Sequence, residues 1–357
     1  MAGLSKIPSA GFQDNVKFRN IIINGSMDIR QRSDTTGFTA DAAYRSCDRW
    51  ITRLNTLGTW DQEQSSTVPS GQGFAKSLKM TVDTADASPA AGDFCWLEQR
   101  IEGQYVQYLK KGTSNAVKLT LSFWVRSSKT GTYIAQIQDN DNSRVVSKSY
   151  TIDTADTWEK KIISFPADTT GALTNDNNLS LQCKFFLGAG SNLTSGTLAT
   201  SWESSTLANW SVGQVNLADT ANATFYLTGV QLEAGETASD FEFLPTDVNQ
   251  HRCERYYQTT QAFIGNGSSV GGACAGETTI GTTMRTVPSA SLSGNFVITD
   301  GYTSDYTQSS TGITLYSNSA DSRSFMVILT NFPSLTQAKP YHSRHSNSSV
   351  IQFSAEL

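Results

Sequence analysis

Charge is scarce in this 357-residue chain: only 17% of its residues are Asp, Glu, Lys or Arg, and Ser, Thr, Asn and Gly stand where charge would otherwise be. The net charge is −5, and the longest basic run is Lys110-Lys111. That excludes a basic stripe of the kind that tracks nucleic-acid phosphates, so no nucleic-acid partner is expected. Long hydrophobic runs are missing too. Ile21-Ile22-Ile23 and Phe325 to Leu329 fall far below the roughly 20 apolar residues of a spanning helix, so no membrane insertion is expected. The first residues lack the apolar core of a secretory signal, which leads to the expectation of assembly in a cytoplasm. Five cysteines (Cys47, Cys95, Cys183, Cys253, Cys274) are widely scattered with no C-x-x-C pair, and are expected as reduced, buried thiols.

Catalytic signatures are equally sparse. There is no G-x-S-x-G elbow, no phosphate loop and no H-E-x-x-H. His342 and His345 are three apart without a further ligand nearby in sequence, and zinc needs more than two, so no metal site is assigned. Glu98, Glu159, Glu203 and Glu233 lie far apart. Glycoside hydrolysis needs two carboxyls facing each other across a cleft. A polysaccharide depolymerase is therefore the lesser alternative, and a non-enzymatic protein without cofactor is expected. The run Asp139-Asn140-Asp141-Asn142-Ser143 concentrates oxygen ligands for a structural calcium, but it lacks the Gly and Glu positions of an EF-hand, and a solvated hairpin tip is the simpler reading.

What the chain has is alternation. Cys47–Leu54, Ser77–Val82, Phe94–Ile101, Val117–Arg126, Gly131–Gln138, Arg144–Ile152, Glu159–Phe165, Leu179–Leu187 and Ala223–Leu232 alternate apolar with polar residues. Period two means one face buried and one wet, as in antiparallel sheets packed as a sandwich. The fold class expected is all-β: an antiparallel jelly-roll β-sandwich over 20–245, then a second, smaller β-rich domain over 259–357. Residues 1–19 read as an N-terminal arm, and 246–258 as a linker helix capped by Thr246 or Asp247. In the C-terminal stretch, Phe263-Ile264, Met284–Val287, Gly294–Thr299, Gly312–Tyr316 and Phe325–Leu329 read as strands. Gly265–Gly276 reads as turns with little core. The thin apolar content of 259–357 as a whole points to oligomerisation as the way to bury more surface.

The order NIIINGSMDIRQR (Asn20–Arg32), YRSCDRW (Tyr44–Trp50), SFWVR (Ser122–Arg126), LTGVQLEAG (Leu227–Gly235), Phe241 to Phe243 and CERYYQ (Cys253–Gln258) resembles that of bacteriophage tail-fibre and tail-tip structural proteins with a carbohydrate-binding-module-like jelly roll. The resemblance spans about Asn20 to Gln258. It implies a virion location, in a tail or fibre, with other virion proteins as partners, a homotrimer, and attachment to host surface polysaccharide or lipopolysaccharide. An architectural subunit (capsid decoration, head fibre or tail adaptor) is the alternative.

The same motifs have plain physical readings. Gly229 is placed at a bulge or close approach, with Leu227, Gly229, Gln231 and Glu233 on one face of that strand. Asp48 is expected to hold backbone amides or an Arg such as Arg32. Sugar rings stack on aromatic planes, and the chain has 7 Trp and 12 Tyr. Trp50, Trp96, Trp124 and Trp158 lie inside strand patterns and are expected in the core. Trp202 and Trp210, in the long Ser/Thr/Gly-rich stretch 191–216, and Tyr302 and Tyr306, beside Asp300, Asp305 and Gln308, are the candidate glycan-binding residues.

Overall fold

The computed structural model describes residues 18–268, 271–301, 304–316, 323–333, 335–344 and 349–357. Most of the arm, Tyr302 and His345 lie outside them.

Eleven strands form the first body: β1 (Thr35–Tyr44), β2 (Ile51–Ser65), β3 (Ser77–Thr84), β4 (Phe94–Glu102), β5 (Leu119–Ser127), β6 (Gly131–Asp139), β7 (Arg144–Ile152), β8 (Glu159–Phe165), β9 (Leu179–Ala189), β10 (Glu203–Ser204) and β11 (Thr224–Ala234). They pair antiparallel in the order β10-β7-β6-β9-β4-β2-β3-β11-β5-β8, with β1 also on β2. The path curls into a jelly-roll sandwich because β2 changes partner midway. Its residues 51–56 pair with β4 and its residues 59–65 with β3. The bend falls at Thr56 and Gly58, both at positive φ, and a Cβ on Gly58 would sit 2.4 Å from the Thr84 carbonyl oxygen, so only glycine fits there.

Alternation fills the space between the two halves. Phe123 and Phe185 meet edge to face at 5.0 Å, and Phe185 also contacts Trp50 at 6.1 Å. Trp50, Trp60, Tyr133, Phe165 and Phe225 are buried in the same cluster. Each such side chain contributes roughly 2–3 kcal/mol of burial.

Local chemistry modifies this pattern in four places. In β11 the register with β5 shifts between Thr228 and Gln231, and Gly229 adopts φ +60°. The bulge resets the parity, so Leu227, Val230 and Leu232 all reach the core, while Gln231 and Glu233 bond to each other outside it. The simple alternation expected for LTGVQLEAG is thereby corrected. Trp124 and Trp158 are also corrected: Phe123 and Val125 take the inward positions, so Trp124 faces outward, opposite Thr228 and Lys160. Trp158 packs on the outer-face Tyr226, 6.0 Å away. The segment 20–32 is irregular rather than a strand; it is tied to β11 by Ile21 N–H to Leu232 O and Val230 N–H to Gly25 O. Finally, Cys47–Trp50 turns, with Arg49 at φ +73°, and β2 begins only at Ile51.

Asp48 behaves as its motif suggested. It accepts the Gln31 backbone N–H at 3.0 Å and lies 3.7 Å from Arg32. The helix spans Thr246–Glu254, with Pro245 rather than Thr246 or Asp247 at its N-cap. Its Cys253 packs, with Tyr256, against Ile23 and Ile29.

Beyond it, β12 (Tyr257–Thr260), β13 (Ile264–Gly267), β14 (Cys274–Thr279), β15 (Ser289–Leu292), β16 (Val297–Thr299), β17 (Asp305–Thr307), β18 (Ile313–Leu315), β19 (Ser324–Leu329), β20 (Pro340–Ser343) and β21 (Ile351–Ser354) form a three-stranded sheet and a seven-stranded one. A separate core holds Phe263, Phe296, Phe325, Tyr341 and Phe353. Much of the Gly265–Gly276 stretch is strand, because its glycines admit close backbone approach: a Cβ on Gly276 would lie 2.2 Å from the Ile264 carbonyl oxygen. Met284–Val287 is not a strand. Met284 is buried, and Arg285 ties the segment to the first body through the Asn177 carbonyl and to the chain's last residues through the carbonyls of Ala355 and Glu356.

Candidate functional site

The two bodies meet along a polar seam. Glu102, at the end of β4, is fully buried and accepts both Nε and Nη2 of Arg255 at 2.9 and 2.8 Å, the Tyr256 hydroxyl and Gln104 Nε2. Arg49, also fully buried, pairs with Glu356 and lies over the Tyr256 ring at 3.4 Å. Arg100 donates to Glu98 and to the Leu357 carbonyl.

A cavity of about 600 Å3 opens beside this network. One wall is the segment Phe18–Ile23 and another is the end of β4. The third is a pair of 3-10 turns, Gly103–Tyr105 and Gln107–Leu109, and the fourth is the last turn of the helix with Tyr256. The turns stop at Lys110 and Gly112, both at positive φ. They present Tyr105 and Tyr108 to the cavity. Tyr105 is 45% exposed. Burial pushes the Tyr108 hydroxyl up to about 12, against the nearby Arg252, so it stays a proton donor.

Two arginines line the cavity from the helix side. Arg255 is committed to Glu102. Arg252 differs: among the described residues it makes no ion pair, its only side-chain hydrogen bond is a 3.4 Å contact to the Asn20 carbonyl, and its guanidinium lies 5.1 Å from the Phe18 ring. Burial lowers its pKa, and Glu242 only partly opposes this. Glu242 itself accepts the backbone N–H groups of Arg19 and Asn20.

The residues singled out in the sequence lie elsewhere and apart. Trp202 and Trp210 are both half-buried. Trp202 donates Nε1–H to the Pro166 carbonyl at 2.8 Å and covers the Lys111 ammonium, whose Nζ lies 4.9 Å from its ring. Trp210 closes over the outer face of β4, β6 and β9, against Trp96, Ile134, Phe186 and Leu193. Trp96 is thus buried, but in this satellite cluster rather than the main core. Lys184, 2% exposed, lies beneath Trp210, its Nζ 4.0 Å from that ring and 5.1 Å from Trp96. Burial brings the Lys184 pKa down to about 7, against the attraction of Glu98. Tyr306 packs edge to face on Tyr341 at 5.3 Å in the second body. Its neighbours are engaged: Asp300 with Lys339, Asp305 with Arg344, and Gln308 with the Phe296 N–H and two carbonyls.

The scattered carboxylates do not face one another as a free pair. Glu98 accepts from Trp96 and Arg100, Glu159 from the Asp153 and Thr154 amides, Glu203 from Asn209, and Glu233 from Gln231 and Ser239. At the hairpin tip raised as a calcium site, Asp139 binds the ammonium of Lys111. That group also contacts Asp168 at 2.8 Å and the carbonyls of Thr170 and Gly171. A lysine cation stands among these oxygens, and no cluster of three or more metal-ligating side chains occurs among the described residues.

Sequence reasoning missed the cavity. Its one signal was the aromatic and basic run CERYYQ beside Arg252, read as the end of a helix and as one motif of the resemblance. No family model matches the chain, and no curated protein matches it. Solved structures similar to it include the enzymatically active domain of tailspike protein 4 of bacteriophage CBA120 (14% identity, 60% of this chain and 21% of that one, TM-score 0.30). Others are a structure described as CBM4 (14%, 59% and 97%, 0.30) and TmCBM61 in complex with β-1,4-galactotriose (11%, 61% and 99%, 0.31). The chain thus spans about a fifth of the tailspike. TM-scores of this size describe a loose likeness of outline, from which no ligand is transferred.

Proposed function

We propose that this chain is a non-enzymatic attachment protein of a bacteriophage particle, a tail-fibre or receptor-binding subunit that holds host surface glycan in the seam cavity. The observation that carries the reading is the cavity itself: about 600 Å3, with Tyr105 and Tyr108 in its wall and a guanidinium left without a carboxylate. Aromatic rings accept the C–H faces of sugars, and Arg and Gln side chains donate to their hydroxyls. Glu102, the carboxylate in the wall, already accepts from three side chains and is held as an ion pair, which suits binding rather than proton transfer. The virion setting follows from the resemblance of the Asn20–Gln258 motifs, and several copies per particle raise weak single-site affinity through local concentration.

The test is a glycan array probed with the whole chain and with Tyr105→Ala. Binding that falls at least tenfold in Tyr105→Ala and persists in Trp202→Ala and Trp210→Ala supports the cavity. Absence of saccharide binding, or release of reducing sugar from a bound polysaccharide, overturns the proposal.

A second, architectural reading has its own observation. On the seven-stranded sheet Ile264 and Met326 flank Glu277 across three paired strands, and Tyr316 bonds to the Met326 carbonyl. They are 73%, 41% and 70% exposed. An uncovered apolar sheet face of this kind suits contact with another virion subunit or a further copy of the chain.

A further inference from the structure

Resting on the glycan reading above, we infer that the cavity selects acidic saccharides, with Arg252 binding the sugar carboxylate. The two arginines on the last turn of the helix differ in their partners. Arg255 has its carboxylate, Glu102, in bidentate geometry. Arg252, three residues earlier, lines the same cavity with one long hydrogen bond to a carbonyl and no carboxylate among the described residues.

A half-buried guanidinium without a counterion is costly, because water is removed from the charge and nothing replaces it. The acid that attracts it, Glu242, has both its oxygens occupied by backbone amides. The fork of N–H donors on Arg252 therefore fits a planar carboxylate arriving from outside. Tyr105 and Tyr108 line the same cavity and offer apolar faces for the ring that carries the carboxylate. Glu102 is paired with Arg255 and Glu98 with Arg100, so Arg252, attracted by Glu242 but bonded to no carboxylate, is the guanidinium left to take one from a ligand. A neutral sugar would leave that charge unmatched. A uronate, a sialate or a pyruvylated sugar would match it.

The experiment is an array holding uronate-, sialate- and pyruvate-bearing glycans beside neutral ones, read with the full chain at low and high salt. For the uronate glycans, carboxyl-reduced counterparts are included. Acidic members are expected to bind and to weaken with salt. Carboxyl reduction, or Arg252→Gln, is expected to cost roughly 10- to 100-fold, and Arg252→Lys should recover part of that loss. The salt and carboxyl-reduction measurements need no variant, so they decide the matter even if Arg252→Gln is poorly folded. Binding of neutral glycans alone, or binding of acids indifferent to both salt and carboxyl reduction, overturns the acidic selectivity and leaves the glycan reading standing. No binding to any saccharide overturns both.

Discussion

Replacing Lys184 by Met is expected to stabilise the protein near pH 6, and the gain should shrink in a defined way as pH rises. Lys184 is 2% exposed, under Trp210 and beside Trp96, with Gln138 accepting from its ammonium. Burial lowers its pKa from 10.5 to about 7. A fall of that size corresponds to about 5 kcal/mol of unfavourable charge burial at most. The cation–π contacts and the bond to Gln138, lost in the variant, reduce the net gain.

The sign follows from proton counting. Below pH 7 both folded and unfolded chains hold the Lys184 proton, so the cost is constant. Between pH 7 and 10.5 the folded state releases it while the unfolded state keeps it, so stability rises with pH in that window. The variant has no such proton. From pH 6 to 8.5 the wild-type stability should therefore climb relative to Lys184→Met by about 2 kcal/mol. The buried thiols act in the opposite direction above their ordinary range. Burial holds Cys47, Cys95 and Cys183 well up, so the unfolded state loses those protons first and stability falls. That effect is common to both proteins and cancels in the difference. The assay is urea unfolding at half-unit pH steps. A difference that stays flat within about 0.5 kcal/mol across pH 6–8.5 would refute the reasoning.

Other outcomes follow from single contacts. Lys111→Met leaves Asp139 and Asp168 buried together without their shared ammonium, and should cost about 3–5 kcal/mol, read as a lower thermal midpoint. Burial pushes the Asp168 carboxyl up, but bonds from Arg144 and Lys111 outweigh it and hold it below the usual carboxylate range. The stability it contributes is full above about pH 4 and is lost as pH falls through its folded pKa, which acid titration of the wild type should show. Gly229→Ala places a Cβ 2.6 Å from the Phe74 ring at φ +60°, and a loss of about 2 kcal/mol in chemical unfolding is expected; a neutral result would mean the bulge relaxes. Arg285→Ala removes the bond to the Asn177 carbonyl across the seam and two bonds to the carbonyls of Ala355 and Glu356 on its own side. It should split the calorimetric unfolding into two transitions, and a single unchanged transition would show that the seam does not depend on Arg285.

Much of the sandwich was legible because period two is a local property. The alternation in Arg144–Ile152 and Glu159–Phe165 marks β7 and β8 to the residue, whereas Trp124, expected in the core, faces outward because Phe123 and Val125 take the inward parity. β1 was missed because TTGFTADAAY has too few apolar residues to show a face. In the second body, β14 was hidden by its small residues, where backbone proximity rather than side-chain bulk makes the strand. The candidate site was less visible still. Trp202 and Trp210 drew attention as loop aromatics, yet one lies against Lys111 and the other caps Lys184.

What the chain's own pattern determined is the all-β class, most strands of the sandwich and the Gly229 bulge, since each depends on neighbours a few residues apart or on one residue's allowed backbone. Only the tertiary structure decided which face of each sheet is covered, that a lysine stands among the oxygens of the Asp139 tip, and that the cavity exists. Its walls come from residues near 20, 100 and 255, and whether Arg252 has a carboxylate beside it depends on how those distant segments close, which no local periodicity records.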